Sequence, residues 1–563
     1  MDNRIRAMWQ RLPAPDGRTM AKNLRHNWYF PLSAAAFFYP QVQWLIDPSI
    51  WHISLLCAFL AMFAVATQCA ALWQPLRRLS WPLRLYALLS TLGVCLRSQR
   101  YTYETLLAQP RFYSLADPET AARLASMVLT VCGGVFVLAA MAFFWEQLHT
   151  IFREIGILAS LKGWEWALYG VLALGMLFCM GRIFLATSAF YTYSTGGYDV
   201  IYTSDSGALV YNMGYLFLSF PENDLRQPLF AVFAAPFVGA PYAIAEVLRL
   251  SPAWQAMLVN GVQVLLLVLG NLLLTRLLKL TPGKRACLML VASVSYTQML
   301  FLLMMEQYVI AYFWLMCALA LVVSGHTTPC LALWGAGNTL LTSLFWTPCY
   351  STHSPFRQFG AWLRDMVWRV VEFIALLLAF GRFDVLYTLA DKIVSLSKFS
   401  GGSVPLWERL YQYTVFVRNL FFAPAAAAGM NTTTPQAHIS WMLEPVSGIS
   451  FAGVVIIMLA LVSAVWNRRQ RAARFAFYWI VFSLLLLVVL GWGTKENGLI
   501  LYALYFGWAF LVLLFLLVQK LARTLHTPWL LPLICAIAAV VLAANGIRGI
   551  WAMVQFGMTY FPN

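Results

Sequence analysis

Long apolar runs separated by short basic or polar stretches make up most of the chain. Runs long enough to cross a bilayer, roughly 17–25 residues each, lie at 29–46, 53–73, 126–147 and 165–188, with a shorter one near 84–96. Residues 1–27 are polar, with Arg4, Arg6, Arg11, Arg18, Lys22 and Arg25 against Asp2 and Asp16. They hold no short apolar core of the kind a cleavable signal carries, so this basic segment is expected in the cytoplasm. Arg77, Arg78 and Arg84 fit a cytoplasmic return after two crossings. Counting the short run as a third crossing places Arg97–Arg123 outside, although its own flank, Arg97 and Arg100, fits the cytoplasm better. A fourth crossing then returns to Arg153 and Lys162, and a fifth emerges near Phe190.

A polar, turn-rich stretch follows, and after it the Pro-broken apolar segment Leu229–Pro252. The next span, about 257–278, ends in Arg276, Lys279, Lys284 and Arg285, so the region from about 190 to 255 is expected as one large external loop. Pro236, Gly239, Pro241 and Pro252 predict short interfacial helices over Leu229–Leu250 rather than a clean span. Spans at 286–304 and 307–324 are expected as a hairpin turning outside near Glu306. A second polar stretch covers about 384–448, followed by spans at 450–466, 475–490, 498–519 and 528–545. Arg468, Arg469, Arg471 and Arg474, with Lys520 and Arg523, anchor the cytoplasmic side of this half and put Gly491–Asn497 outside. The fold class expected is an all-α polytopic membrane protein of about 12–14 transmembrane helices, without a visible repeat.

Composition agrees. Of 563 residues, 61% are hydrophobic and only 11% charged, with a mean hydropathy of +0.71. Soluble domains carry about 25% charged residues, so this chain lacks the charge to coat a water-soluble surface. Cytosolic enzymes and nucleic-acid readers are excluded. The net charge of +16 reflects basic cytoplasmic loops and anionic lipid, with no nucleic-acid partner implied. None of the ten cysteines forms a CxxC pair, so neither a zinc site nor a disulfide framework is indicated.

Candidate chemistry concentrates in the first external loop. Asp199, Asp205, Glu222, Asp224 and Arg226 fall within 28 positions, among Tyr191, Tyr193, Tyr198, Tyr202, Tyr211 and Tyr215. Tyrosines suit sugar faces and interfacial docking, whereas S-D-S-G is also a plain turn signal. Glu306, in MMEQY, is either a site residue or a snorkelled turn residue. Lys495 and Glu496, in GWGTKENGLILY, either act together on a ligand or pair with each other at the surface. Asn431 opens an N-T-T sequon, and His326, His353, His438 and His526 are scattered without ligand spacing.

The order of elements resembles the GT-C superfamily of polytopic glycosyltransferases, which use polyprenyl- or dolichyl-phosphate-linked sugars. A span leads into an external loop with an early Asp, a Tyr-rich run, N-D-L-R-Q-P-L, Pro-broken apolar helices, and a span returning to a basic loop. The likeness covers roughly Gly163–Gly325 and rests on short motifs, so it points to a superfamily and not to a substrate. The loop follows the fifth helix here, where such enzymes usually place it after the first. The resemblance implies accessory helices over 29–160, a catalytic transmembrane core over 161–370, and carboxyl-terminal helices over 371–563, after a cytoplasmic segment 1–28.

It also implies that Asp205 is the catalytic base for an acceptor hydroxyl, with Pro228 in the Pro-rich stretch that follows. A carboxylate serves as base within hydrogen-bond reach, and a bidentate Arg suits a departing phosphate; Arg226 is the nearest candidate. Asp224 would orient Arg226 or share a metal, and Glu306, Lys495 and Glu496 would bind donor phosphate or acceptor. The cofactor requirement is left unknown, because no ligand spacing indicates a divalent metal. The expected partners are a polyprenyl-phosphate-linked sugar donor, a glycan or lipid acceptor, and membrane lipids. The expected location is a bacterial cytoplasmic membrane, the site facing outward, with a role in cell envelope glycan assembly. A transporter or lipid-linked glycan flippase would instead put charges in mid-span. An O-antigen-ligase-like transferase would favour basic and His positions in its loops.

Overall fold

The computed structural model describes residues 17–43, 48–69, 72–193, 197–198, 200–202, 204, 209, 214–216, 227–324, 331–340, 353, 357–396, 400–402, 404–432, 437–494 and 498–563. The longer helices are α1 (Gly17–Asn27), α2 (Tyr29–Gln43), α3 (Pro48–Gln68), α4 (Trp81–Leu107), α5 (Pro118–Ile155), α6 (Gly163–Ala186), α7 (Phe230–Val247), α8 (Pro252–Leu277) and α9 (Pro282–Ser293). After a short helix at Tyr296–Phe301 come α10 (Gln307–Val323), α11 (Leu331–Thr339), α12 (Phe359–Ala379), α13 (Leu406–Asn419), α14 (Phe451–Trp466), α15 (Arg471–Leu484), α16 (Ala503–Thr524) and α17 (Leu530–Tyr560). Among the described residues eight helical segments are long and apolar enough to cross a membrane, and α10 and α14 are shorter apolar helices. The chain is a helical, multi-pass membrane protein, and its described residues hold one two-stranded hairpin, β1 (Ala426–Asn431) against β2 (His438–Leu443).

A helix that is apolar all round must be buried. This is true of α10, where every residue from Gln307 to Val322 is buried. It runs through the middle of the bundle, packed against α5, α7, α8, α11 and α16. In contrast, α6 and α17 leave most of their apolar faces outward, as lipid-facing helices do. Two of the basic clusters are tied to helix ends. Arg285 makes a two-pronged pair with the buried Glu165, at 2.7 and 2.8 Å, and bonds the Ser160 carbonyl. Arg471 donates to the carbonyl of Val322, in the last turn of α10, at 3.0 Å, satisfying a carbonyl that the helix end leaves open.

Three expectations are corrected. First, Leu229–Leu250 is not a set of interfacial helices: Phe230–Val247 is one continuous, largely buried helix despite Pro236 and Pro241. Proline leaves carbonyls unpaired, and neighbouring helices take them up, as helices in a bilayer must arrange. Tyr86 donates to the Phe237 carbonyl, the one that Pro241 leaves open, while Ser90 and Trp314 add bonds to the Pro236 and Phe233 carbonyls of the same helix. The loop at about 190–255 therefore contains an apolar helix, running in the same sense as α4. Second, 286–304 is not one span. It breaks between α9 and Tyr296–Phe301, where the Tyr296 N–H bonds the Phe421 carbonyl at 3.1 Å. Third, the short run at 84–96 belongs to a 27-residue helix that continues through Arg97 and Arg100.

Candidate functional site

Two polar stretches far apart in sequence meet in space. Ile201 bridges Trp441 of β2 in parallel register, with the Tyr202 N–H on the Trp441 carbonyl and the Trp441 N–H on the Val200 carbonyl. Three residues earlier, Tyr198 stacks face to face on His438, centroids 4.7 Å apart at 8°. Tyr202, at φ 51, places its hydroxyl 3.1 Å from that of Tyr296, and the Trp441 indole donates to it at 3.2 Å. Burial pushes the Tyr202 phenol up to about 12, so it is neutral near pH 7. The segment ahead of Asp205 is thus fixed onto the hairpin through Tyr198, Val200, Ile201 and Tyr202, and Ser204 is buried with its N–H on the Ile201 carbonyl.

A second junction forms at the start of α10. Glu306 is the residue before the helix and is 1% exposed, so the snorkelled-turn reading does not apply to it. A helix amino terminus favours a carboxylate. Two residues on, the Tyr308 ring lies 5.0 Å from Tyr505 and 6.0 Å from Tyr502. Tyr505 accepts a 2.9 Å bond from the Gln227 side chain, and Trp492 donates to Tyr502 at 2.9 Å. The Trp492 loop is set by Gly491 and Gly493, at φ 69 and 73, a left-handed backbone that favours glycine. A Cβ on Gly493 would sit 2.7 Å from the Tyr502 ring.

Beside Gln227, the carbonyl of Pro228 accepts 2.7 Å from Arg382, whose guanidinium also grips Asp384 at 3.0 and 3.1 Å. Both side chains are buried. Next to Leu499 and Ile500 opens a cavity of about 440 Å³ lined by α13, the segment after β2, and Arg418, Asn419 and Glu444. Ligand pockets commonly hold about 300–1,000 Å³.

Of the sequence candidates, Glu306 lies in the second junction. Asp205, Asp224, Arg226, Lys495 and Glu496 lie outside the described residues, as do Asp199 and Glu222. Their described flanks are instructive. Gln227 and Pro228 follow Arg226, Trp492 and Thr494 precede Lys495, and Leu499–Tyr502 follows Glu496. The flanks of Arg226 and of the Lys495–Glu496 pair thus meet beside Glu306. On either side of Asp205 the described residues are Ser204, bonded to the Ile201 carbonyl, and Leu209, whose carbonyl accepts from Tyr242.

Sequence reasoning missed Arg382, Asp384, Arg418, Glu444 and His438. The charged doublet G-R-F-D directly after an apolar helix was the one local signal for the first two; the others become visible only through tertiary pairing. Asn431 is buried and paired with His438 across the hairpin, so the sequon begins in a strand. His353 pairs with Asp365 at 2.9 Å. Among the described residues no group of three or more His, Cys, Asp or Glu side chains is placed to hold a metal ion. Comparison with family models, with curated proteins and with solved structures finds no match for this chain.

Proposed function

We propose that this protein is an inverting membrane glycosyltransferase of the GT-C type, which transfers a sugar from a polyprenyl-phosphate donor to a glycan or lipid acceptor. It works on the outer face of a bacterial cytoplasmic membrane. The observation that supports this most is the convergence at the start of α10. Glu306, the flank of Arg226 and both flanks of Lys495–Glu496 share one aromatic-lined junction beside a ligand-sized cavity. An enzyme that joins two substrates needs acid, cation and ring-stacking groups gathered in this way at the end of a bundle.

In this reading the acceptor hydroxyl oxygen attacks the anomeric carbon and Asp205 takes its proton. The bond from that carbon to the phosphate oxygen breaks, and polyprenyl phosphate leaves with the electron pair. Arg226, oriented by Asp224, neutralises that charge. Lys495, Glu496 and Glu306 hold phosphate and acceptor, and the tyrosines offer faces to the sugar. Arg382 and Asp384 position the loop by holding Pro228. The test is the purified chain in proteoliposomes with radiolabelled polyprenyl-phosphate sugars and a glycan acceptor. The expected products are polyprenyl phosphate and extended acceptor. Movement of intact lipid-linked glycan between leaflets with no bond cleaved would overturn the transferase reading in favour of a flippase.

A further inference from the structure

We infer that the first helices carry a separate binding site for the phosphate headgroup of an anionic phospholipid. A pocket of about 400 Å³ opens between α4, the start of α5 and the end of α7, and its lining includes Arg97, Arg100 and Arg123 against one carboxylate, Glu246. Counting Glu104, which pairs with Arg100 at 3.5 Å from outside the lining, three guanidiniums face two carboxylates, and the remaining positive charge favours an anionic group. Phosphate is the anion that guanidinium forks bind best. Tyr103 and Tyr242 add ring surface, and Tyr242 is the residue that holds the Leu209 carbonyl.

The floor is closed by the tightest helix crossing in this region. A Cβ on Gly93 would lie 2.0 Å from the carbonyl oxygen of Gly239, so α4 and α7 touch backbone to backbone there. Toward the end of α7 the pocket opens between them. What identifies the ligand as a lipid is the surface beside the opening. From Arg123 the outward face of α5 continues through Leu124, Val128 and Val131, which are 60%, 62% and 74% exposed. That strip is about 12 Å of helix, a length over which acyl chains can lie while the headgroup occupies the arginines. A polar-to-apolar change at Arg123 is what a helix shows where it passes from headgroups into hydrocarbon. None of the residues proposed for sugar transfer lines this pocket, so the inference does not rest on that proposal.

The experiment uses the full chain in zwitterionic nanodiscs and measures binding of fluorescent phosphatidylglycerol, with phosphatidylcholine and inorganic phosphate as competitors. The expected result is saturable binding that phosphatidylcholine does not displace and that inorganic phosphate displaces only in large excess. Arg97→Gln/Arg100→Gln/Arg123→Gln should weaken it at least tenfold, while Arg111→Gln, outside the pocket, leaves it unchanged. If the triple variant is not monodisperse, Arg100→Gln/Arg123→Gln decides, since both side chains are exposed and should be dispensable for folding. Unchanged binding in the folded variants, or equal displacement by phosphatidylcholine, overturns the inference. Displacement by inorganic phosphate at concentrations matching the lipid would make this a free-phosphate site and overturn the lipid assignment.

Discussion

Removing Arg382 alone should destabilise the protein far more than replacing Arg382 and Asp384 together. The two side chains are only 2% and 6% exposed and share two bonds. Arg382→Met therefore strands a buried carboxylate, and Asp384→Leu strands a buried guanidinium that keeps its bond to Pro228. Breaking a buried pair from one side costs about 3–5 kcal/mol, whereas a well-packed apolar replacement of both partners is often near neutral. Here the apolar double variant Arg382→Met/Asp384→Leu still leaves the Pro228 carbonyl unpaired, a loss of about 1–3 kcal/mol. The expected order is thus wild type, then the double variant, then either single variant. The assay is unfolding of detergent-purified protein followed by Trp fluorescence, with the four proteins treated as a cycle. A double variant that falls by the sum of the two single losses would refute the reasoning, because it would mean that the two charges are not coupled.

Gly93→Ala should cost at least about 1–3 kcal/mol, the usual range for overpacking, because the new methyl meets the Gly239 backbone and not a movable side chain; an unchanged melting point would contradict the α4–α7 crossing. Gly493→Ala forces a left-handed backbone on alanine against the Tyr502 ring. It should lower sugar transfer while leaving phosphatidylglycerol binding intact; equal loss of both would point to general unfolding. Tyr202 is held up to about 12 by burial, against about 10 for an unfolded Tyr. Its contribution is present in full below pH 10 and is lost as pH rises through 12, since the folded state binds the extra proton in that window. The ultraviolet difference between wild type and Tyr202→Phe should show one phenol titrating near pH 12, and a difference completed by pH 10 would contradict this.

The lipid-spanning helices were legible because apolar periodicity is a local property of sequence. Charge alone puts Lys162 and Arg285 on one side, and the Glu165–Arg285 pair brings those two segments together. Pro241 misled because the carbonyl it frees, that of Phe237, takes its donor from Tyr86, 151 residues away, and Ser90 and Trp314 hold the same helix from remote positions as well. The break before Tyr296 was hidden for a similar reason, since the backbone there is satisfied by Phe421. One candidate residue can be followed from sequence to structure. Glu306 stood out as an acid in an apolar run, and its burial follows from the apolar α10 behind it. The meeting of Tyr198 with His438 and of Pro228 with Arg382 could not be read, because each joins segments more than 150 residues apart.

The most direct test of the account is the turnover of Asp205→Asn against Asp199→Asn in the proteoliposome transfer assay, with Arg226→Lys and Arg226→Ala alongside. Asparagine keeps the shape of the side chain and removes the base, so turnover of Asp205→Asn should fall about 10²–10⁴-fold with donor binding retained. Asp199→Asn should remain active, and Arg226→Lys should lose less than Arg226→Ala because it keeps the charge without the fork. A dead Asp199→Asn protein beside an active Asp205→Asn one would move the base to the other aspartate. Full activity in both would leave the loop without a catalytic base and contradict the proposed transferase.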